Sequence, residues 1–452
     1  MKKIKSKKFP PLVFFMLSSV FFCIMALIKG IGEYGDSGQY LLMHIHREPL
    51  YPLWLLLIKA IFGSYFNIGV LLCQGLLAAL CTTYYCSYMT FTFSLKMGWG
   101  IGIWAITLLP HMLTPIVSET GLIISSGILS EAICLPLFLV FLVQCHKIIV
   151  GNFKLAAITG FMLSFLLSLC RGQMMFTIIV WIITVTVRCI LEKKYRSILF
   201  FFVFLFLYFF VRGYTIKTYN LIFNHRFMGN TYGHVNTLTN VMYAAKREMG
   251  EAIEEKEIRE LFYSIYNEME AQQLNDKQGV FSLWESGVYL EEVHDTLKFN
   301  VIERILNDYF KEKGVDDYID RNIHSDKYAA IIIRKILPQC IDRWLSNYFV
   351  LAIRGVVRTV AIINPVFIIY TILLLSYLWI KSIIEIRKNR NIIWGWMTVI
   401  SVLIVMGLAF STAFTIMCLS RYMIYGFVGI YTCIILGIND RYEQIKKRIK
   451  RN

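Results

Sequence analysis

Residues 11–54 read PLVFFMLSSVFFCIMALIKGIGEYGDSGQYLLMHIHREPLYPLW: an apolar run, a charge-dense loop and the start of a second apolar stretch. The first run, 11–29, is of the length a membrane span requires. A helix crossing a hydrocarbon core of ~30 Å needs about 20 apolar residues, because lipid cannot hydrogen-bond an exposed backbone. Glu33, Asp36, His44, His46, Arg47 and Glu48 follow directly. Outward from this stretch, comparable apolar runs recur at 67–90, 98–115, 123–145, 155–170, 174–191, 197–213, 363–384, 392–412 and 422–438. With 57% hydrophobic residues and a mean hydropathy of +0.58, the composition lies outside the range of soluble domains. The expected fold is an all-α polytopic membrane protein with about ten transmembrane helices.

Lys and Arg in short loops are retained on the cytoplasmic side. The termini MKKIKSKK and RYEQIKKRIKRN are therefore both expected to be cytoplasmic, which ten spans allow. Lys96, then His146 and Lys147 with Lys154, then EKKYR, then IEIRKNRN fall after the second, fourth, sixth and eighth spans, where this topology places inner loops. Residues 30–66, 116–122, 171–173, 214–362 and 413–421 are then outside. The first run carries no small-residue cleavage pattern and is expected to stay as a helix. The chain divides into a membrane module, 1–213, with seven helices and an outer loop at 30–66; an extracytoplasmic, mostly helical segment, 214–362; and a closing part, 363–452, with three helices and a basic tail. Within the long segment, KREMGEAIEEKEIRELFYSIYNEMEAQQL and VYLEEVHDTLKFNVIERILNDYFKEK have helical spacing of apolar residues. Residues 49–66, PLYPLWLLLIKAIFGSYF, are too few to span and open on two prolines. They are expected to form a re-entrant or interfacial helix with Tyr51, Trp54 and Tyr65 at the headgroup level.

The net charge of +16 is distributed by topology. Residues 214–340 hold 15 Lys and Arg against 20 Asp and Glu, a net of −5, and the remainder holds 31 against 10, a net of +21. No basic patch has nucleic-acid spacing, so the expected contacts of the excess are anionic membrane lipids and not nucleic acid. Eleven cysteines lie mostly in apolar runs, without CxxC or a Cys/His cluster at ligand spacing, which argues against a disulfide framework or zinc site. His44 and His46 form an HxH pair without a partner set for a metal.

Ionisable residues at a membrane edge call for a reason. Besides the opening loop they are Glu119 in PIVSETG, Glu131 in GILSEAICLPLF, Arg171 in LSLCRGQMMF and Arg421 in IMCLSRYMIYGF, all expected toward the outer face. Carboxylates and isolated arginines on one face of a bilayer describe an anion-binding pocket capable of acid/base work. For Glu131 or Arg171 alone, a structural ion pair between helices is an equal reading.

The sequence here resembles a known class. GDSGQY followed by REPLYPLWLLLIKAIFG looks like the first outer loop of the GT-C class glycosyltransferases. SSGILSEAICLPLFLVFL, GFMLSFLLSLCRGQMMF and SRYMIYGFVGIY are similar to that class's fourth-helix region with its Glu, its helix ending in Arg, and the Arg-Tyr that opens its last helices. The resemblance covers about residues 11–213 and 392–438. It implies transfer of a sugar from a polyprenyl-phosphate donor to a lipid-linked glycan or cell-envelope acceptor at the outer face of the membrane, with inversion, and the compact outer segment points to a bacterial cytoplasmic membrane. It implies Asp36 as general base with Glu33 as understudy. Tyr40, His46, Arg47, Glu119, Glu131, Arg171, Arg421 and Tyr422 would bind substrate, with Arg421 and Arg171 facing the lipid phosphate, Tyr40, Arg47 and Tyr422 shaping the site, and Glu119 or Glu131 holding the acceptor or orienting an arginine. No cofactor is required; a divalent metal is an open alternative that no motif indicates, since P-loop, GxGxxG and DxD are absent. Ser37 stands where some members have a second carboxylate, and the long segment lies between helices seven and eight. An inner-membrane polysaccharide polymerase and a lipid or glycan transporter are the alternatives.

Overall fold

The computed structural model describes residues 11–117, 121, 123–277, 279–361 and 365–450. Among them the chain forms helices and one isolated parallel bridge between Gly32 and Gly127, with no strand. The helices are α1 (Pro11–Lys29), α2 (Ser37–Leu41), α3 (Leu50–Phe62), α4 (Phe66–Thr92), α5 (Met97–Val117), α6 (Glu131–Val150), α7 (Phe153–Cys170), α8 (Phe176–Leu191) and α9 (Tyr195–Asn224). They continue with α10 (Gly233–Ala244), α11 (Lys256–Ala271), α12 (Leu283–Asp295), α13 (Arg304–Glu312), α14 (Tyr318–Ile336), α15 (Ile341–Val360), α16 (Pro365–Arg387), α17 (Ile392–Ala413), α18 (Ser420–Met423) and α19 (Tyr425–Ile449).

Nine helical stretches among the described residues are long and apolar enough to cross a membrane, and the chain is an all-α integral membrane protein. They are α1, the continuous run Leu50–Thr92, α5, α6, α7, Gly172–Leu191, the greater part of α9, α16 and α17. The tenth expected span, 422–438, is not among them. Its helix α19 starts at Tyr425 and runs on through charged sequence to Ile449, so its apolar part is only the first half.

One sequence expectation needs correction. The span expected at 123–145 starts as a helix only at Glu131, because 123–130 is an irregular segment whose backbone pairs with the first loop. Glu131 is thus the first residue of α6, where the positive end of the helix dipole favours a carboxylate. The stretch 49–66 is helical, as expected, and leads on into α4: Gly63, at φ +54°, ends α3 by accepting a conformation that only glycine adopts freely, and a single 3₁₀ turn follows. Within this stretch Tyr51 is fully buried and receives a 3.0 Å hydrogen bond from Gln74.

The chain forms two compact units. The first comprises Met1–Ile216, Val357–Leu408 and Ser420–Asn452. Its centre is α6, of whose 20 residues 16 are buried, with α4, α7 and α8 packed around it. The outlying α1 buries only Phe14, Ser18 and Phe22 and otherwise exposes apolar side chains, as expected of a helix facing lipid. The second unit comprises Lys217–Val356 and Ala409–Leu419, so a short stretch after the apolar part of α17 joins the middle of the chain. It is built on α10–α14 and most of α15 around Leu238, Phe262, Leu290, Leu306 and Ile332. A capping box at Ser282 and Glu285 starts α12, and the Asp317 carboxylate caps α14 through the Ile319 amide at 3.1 Å. The buried ion pair of Glu291 with Arg354, at 2.5 Å, ties α12 to α15.

Candidate functional site

The loop after α1 is held by backbone pairing with the segment before α6. The Gly32 amide donates to the Ser126 carbonyl at 3.0 Å, and the Ile128 amide to the Gly32 carbonyl at 2.8 Å. The Ser37 hydroxyl donates to the Ile128 carbonyl at 2.9 Å and accepts from the Tyr34 amide at 2.8 Å. The Tyr34 hydroxyl in turn accepts from the Ile123 amide at 2.8 Å. Position 127 admits only glycine: a Cβ would lie 2.7 Å from the Ile123 carbonyl oxygen and 3.0 Å from the Tyr34 ring. This scaffold fixes Asp36, the residue that precedes α2.

Three guanidiniums from three distant parts of the first unit meet near Asp36. Arg47, from the same loop, donates Nη2 to Asp36 Oδ1 at 2.7 Å and Nε to Gln39 at 2.8 Å, and its guanidinium lies 4.9 Å from the Tyr40 ring centre. Arg421, on α18, places Nη1 3.6 Å from Asp36 Oδ2 and donates Nη2 to the Tyr422 hydroxyl at 2.7 Å. Arg171, at the end of α7, pairs with Glu131, whose side chain is only 1% exposed. The Arg421 and Arg171 guanidiniums lie 4.8 and 5.2 Å from the Tyr422 ring centre, close enough for each to interact with its π face.

Ser130 links the two halves. Its hydroxyl receives Arg171 Nη1 at 3.0 Å and faces Glu131 Oε2 at 3.3 Å. With its one proton directed to that carboxylate, it accepts from the Tyr40 hydroxyl, 3.0 Å away. Tyr40 is buried edge-on against Tyr51, with ring centres 5.0 Å apart. Next to this cluster, Arg212 on α9 pairs with Glu48 at 2.5 Å, and Gly172 leaves room for that carboxylate, since a Cβ there would lie 3.1 Å from its Oε1.

Three arginines against two carboxylates leave one positive charge in excess. Arg47 is taken up by Asp36 and Arg171 by Glu131, whereas Arg421 has only the 3.6 Å approach to a carboxylate. Arg421 Nε, Arg171 Nε and Glu131 Oε1 are buried, and no hydrogen bond satisfies them among the described residues. Buried polar atoms in native proteins are nearly always partnered, so these three atoms are the cluster's unused hydrogen-bonding capacity. An anion with acceptor oxygens matches both the excess charge and the free donors.

Burial by itself would raise the Asp36 carboxyl, but Arg47, Arg421 and Arg171 outweigh it and hold it below the ordinary aspartate value of 3.8. A group depressed in this way contributes stability that is complete above about pH 3.8 and is lost as pH falls through the folded-state value. Arg47→Met removes the nearest of these cations. The acid limb of any activity that needs the Asp36 carboxylate should then move toward neutral pH, which a pH–rate profile of the variant against wild type measures. An unmoved limb would disconnect Asp36 from that profile.

Of the residues singled out from sequence, Asp36, Tyr40, Arg47, Glu131, Arg171, Arg421 and Tyr422 are brought together. Glu33 is exposed and makes no ion pair among the described residues. His46 packs ring to ring with His44, with centres 4.3 Å apart. Glu119 lies outside the described residues. No group of three or more His, Cys, Asp or Glu among the described residues is arranged to hold a metal ion. Sequence reasoning missed Ser130, Gln39 and the Glu48–Arg212 pair. The signals were present in the serine before Glu131 and in an arginine at the end of an apolar run, but no local spacing joins them. No family model, curated protein or solved structure matches the chain.

Proposed function

We propose that the chain is a GT-C type membrane glycosyltransferase that moves a sugar from a polyprenyl-phosphate donor to a lipid-linked glycan or cell-envelope acceptor at the outer face of the cytoplasmic membrane. The observation that carries this reading is the single carboxylate of Asp36 set between Arg47 and Arg421, the latter the one cluster arginine without a close carboxylate. In the transfer, the acceptor oxygen bonds to the anomeric carbon as the bond from that carbon to the phosphate oxygen breaks on the opposite face. The electron pair leaves with the lipid phosphate, and the hydroxyl proton goes to Asp36. Oδ1 is occupied by Arg47, so Oδ2 is the accepting atom. A carboxylate of depressed basicity suits a proton that leaves late, once the new C–O bond has made the hydroxyl acidic. Arg421 meets the phosphate oxygens, and its planar fork matches them bidentately. Glu131, Ser130 and Tyr40 hold Arg171 in place beside the Tyr422 ring.

The test is purified protein in nanodiscs with a panel of polyprenyl-phosphate sugars, following release of the free lipid phosphate. Release that depends on one donor and gives single-sugar products supports the reading. Long products point to a polymerase, and movement of intact donor across the bilayer without release points to a transporter. Arg421→Ala should raise the KM for donor by roughly 10- to 100-fold, the size of a lost charge-assisted hydrogen bond with its charge. Arg421→Lys should recover only part of this, since an ammonium keeps the charge but not the fork.

A further inference from the structure

The last helix carries a feature that the transfer reaction does not use. Beyond the apolar first half of α19, Ile438, Tyr442, Ile445 and Ile449 are 52%, 49%, 56% and 71% exposed. At 3.6 residues per turn they fall within an arc of about 60° on one side of the helix. Arg441 and Arg448 lie roughly a quarter turn to one side of this stripe, and Lys446 and Lys450 roughly a quarter turn to the other. Asp440 and Lys447 fall on the far side, and Glu443 lies between that side and Lys450. Glu443 is engaged by Lys96, and the Tyr442 ring lies 6.4 Å from Trp99, so the start of the stripe is pinned to the neighbourhood of α5.

An apolar stripe with cations on both shoulders is the pattern of a helix segment that meets the headgroup region of an anionic bilayer along one side. We infer that the Ile438–Ile449 half of α19 is a docking surface for anionic lipid headgroups, with the isoleucines reaching the acyl boundary and the four shoulder cations facing lipid phosphates. Pairing with a second copy of the same helix is disfavoured, because the flanking positions of both would be basic. This inference is independent of the glycosyl-transfer reading.

The experiment uses the full chain in nanodiscs of phosphatidylcholine alone and of phosphatidylcholine with phosphatidylglycerol, and measures the rate of tryptic cleavage after Lys446, Lys447 and Arg448. Cleavage in the anionic discs should be slower by roughly tenfold, and high salt should remove most of the difference. The Ile445→Asp/Ile449→Asp double variant should lose the protection in both lipids. An Arg441→Gln/Arg448→Gln variant should lose the dependence on phosphatidylglycerol. Equal cleavage of wild type in the two lipids overturns the inference. So does protection that follows the number of chains per disc instead of lipid charge, which would assign the stripe to a second copy.

Discussion

Asp36→Asn lowers the release of lipid phosphate from the preferred donor by about 10²- to 10⁴-fold, the usual contribution of a positioned general base. The amide is nearly isosteric and can still accept from Arg47, so the loop paired to residues 123–131 keeps its backbone hydrogen bonds. The neutral amide gives up the charge that Arg47 and Arg421 stabilise, so some thermal stability in detergent is lost while the fold is kept, and donor KM changes far less than kcat. Near-normal turnover by Asp36→Asn would remove Asp36 from the chemistry and leave it as a partner that orients Arg47 and Arg421. Glu33→Gln serves as the control. Glu33 is exposed and outside the ion-pair cluster, so its removal should leave turnover within a factor of about two, in line with a surface substitution.

Breaking the pair between Glu131 and Arg171 has the largest expected effect on stability. Glu131 is 1% exposed and Arg171 13%, so removing either partner leaves a buried charge unpaired. Arg171→Met should destabilise by about 3–5 kcal/mol. It also takes a donor from Ser130 and a cation from the Tyr422 ring. Glu131→Gln should fall short of that, since the amide still accepts one hydrogen bond from the guanidinium. The double change Glu131→Leu/Arg171→Met should recover most of the stability, because a buried ion pair replaced by apolar groups of similar volume is often neutral or better. Thermal unfolding of the three variants in detergent measures this. If the double variant regained stability and full transfer together, the pair would have no part in binding donor. Recovery of stability without transfer would assign Arg171 to the site.

Much of the fold is legible along the chain, because the lipid requirement acts on every residue of a span at once. Runs such as 155–170 and 392–412 appear as α7 and α17 within a few residues of their expected ends. The misreading lies where a tertiary partner competes with the local pattern. The stretch 123–130 is apolar enough to extend α6, but its carbonyls at Ser126 and Ile128 are taken by Gly32 and Ser37, and the helix starts late. The burial of Tyr51 against Gln74 and Tyr40 is likewise set by packing and has no local sequence signal.

For the site, the sequence by itself determined which residue types stand at the ends of apolar runs: Asp36 and Arg47 in one loop, Glu131 and Arg171 beside two others, Arg421 and Tyr422 near the last. The cost of ionisable groups next to lipid singles them out without any knowledge of contacts. Only the tertiary structure decided the pairing, which sets Asp36 with Arg47, Glu131 with Arg171, Ser130 between the halves, and Arg421 as the cation in excess. Charge interactions depend on distances of a few ångströms, and residues more than 250 positions apart in the chain reach those distances only through helix packing.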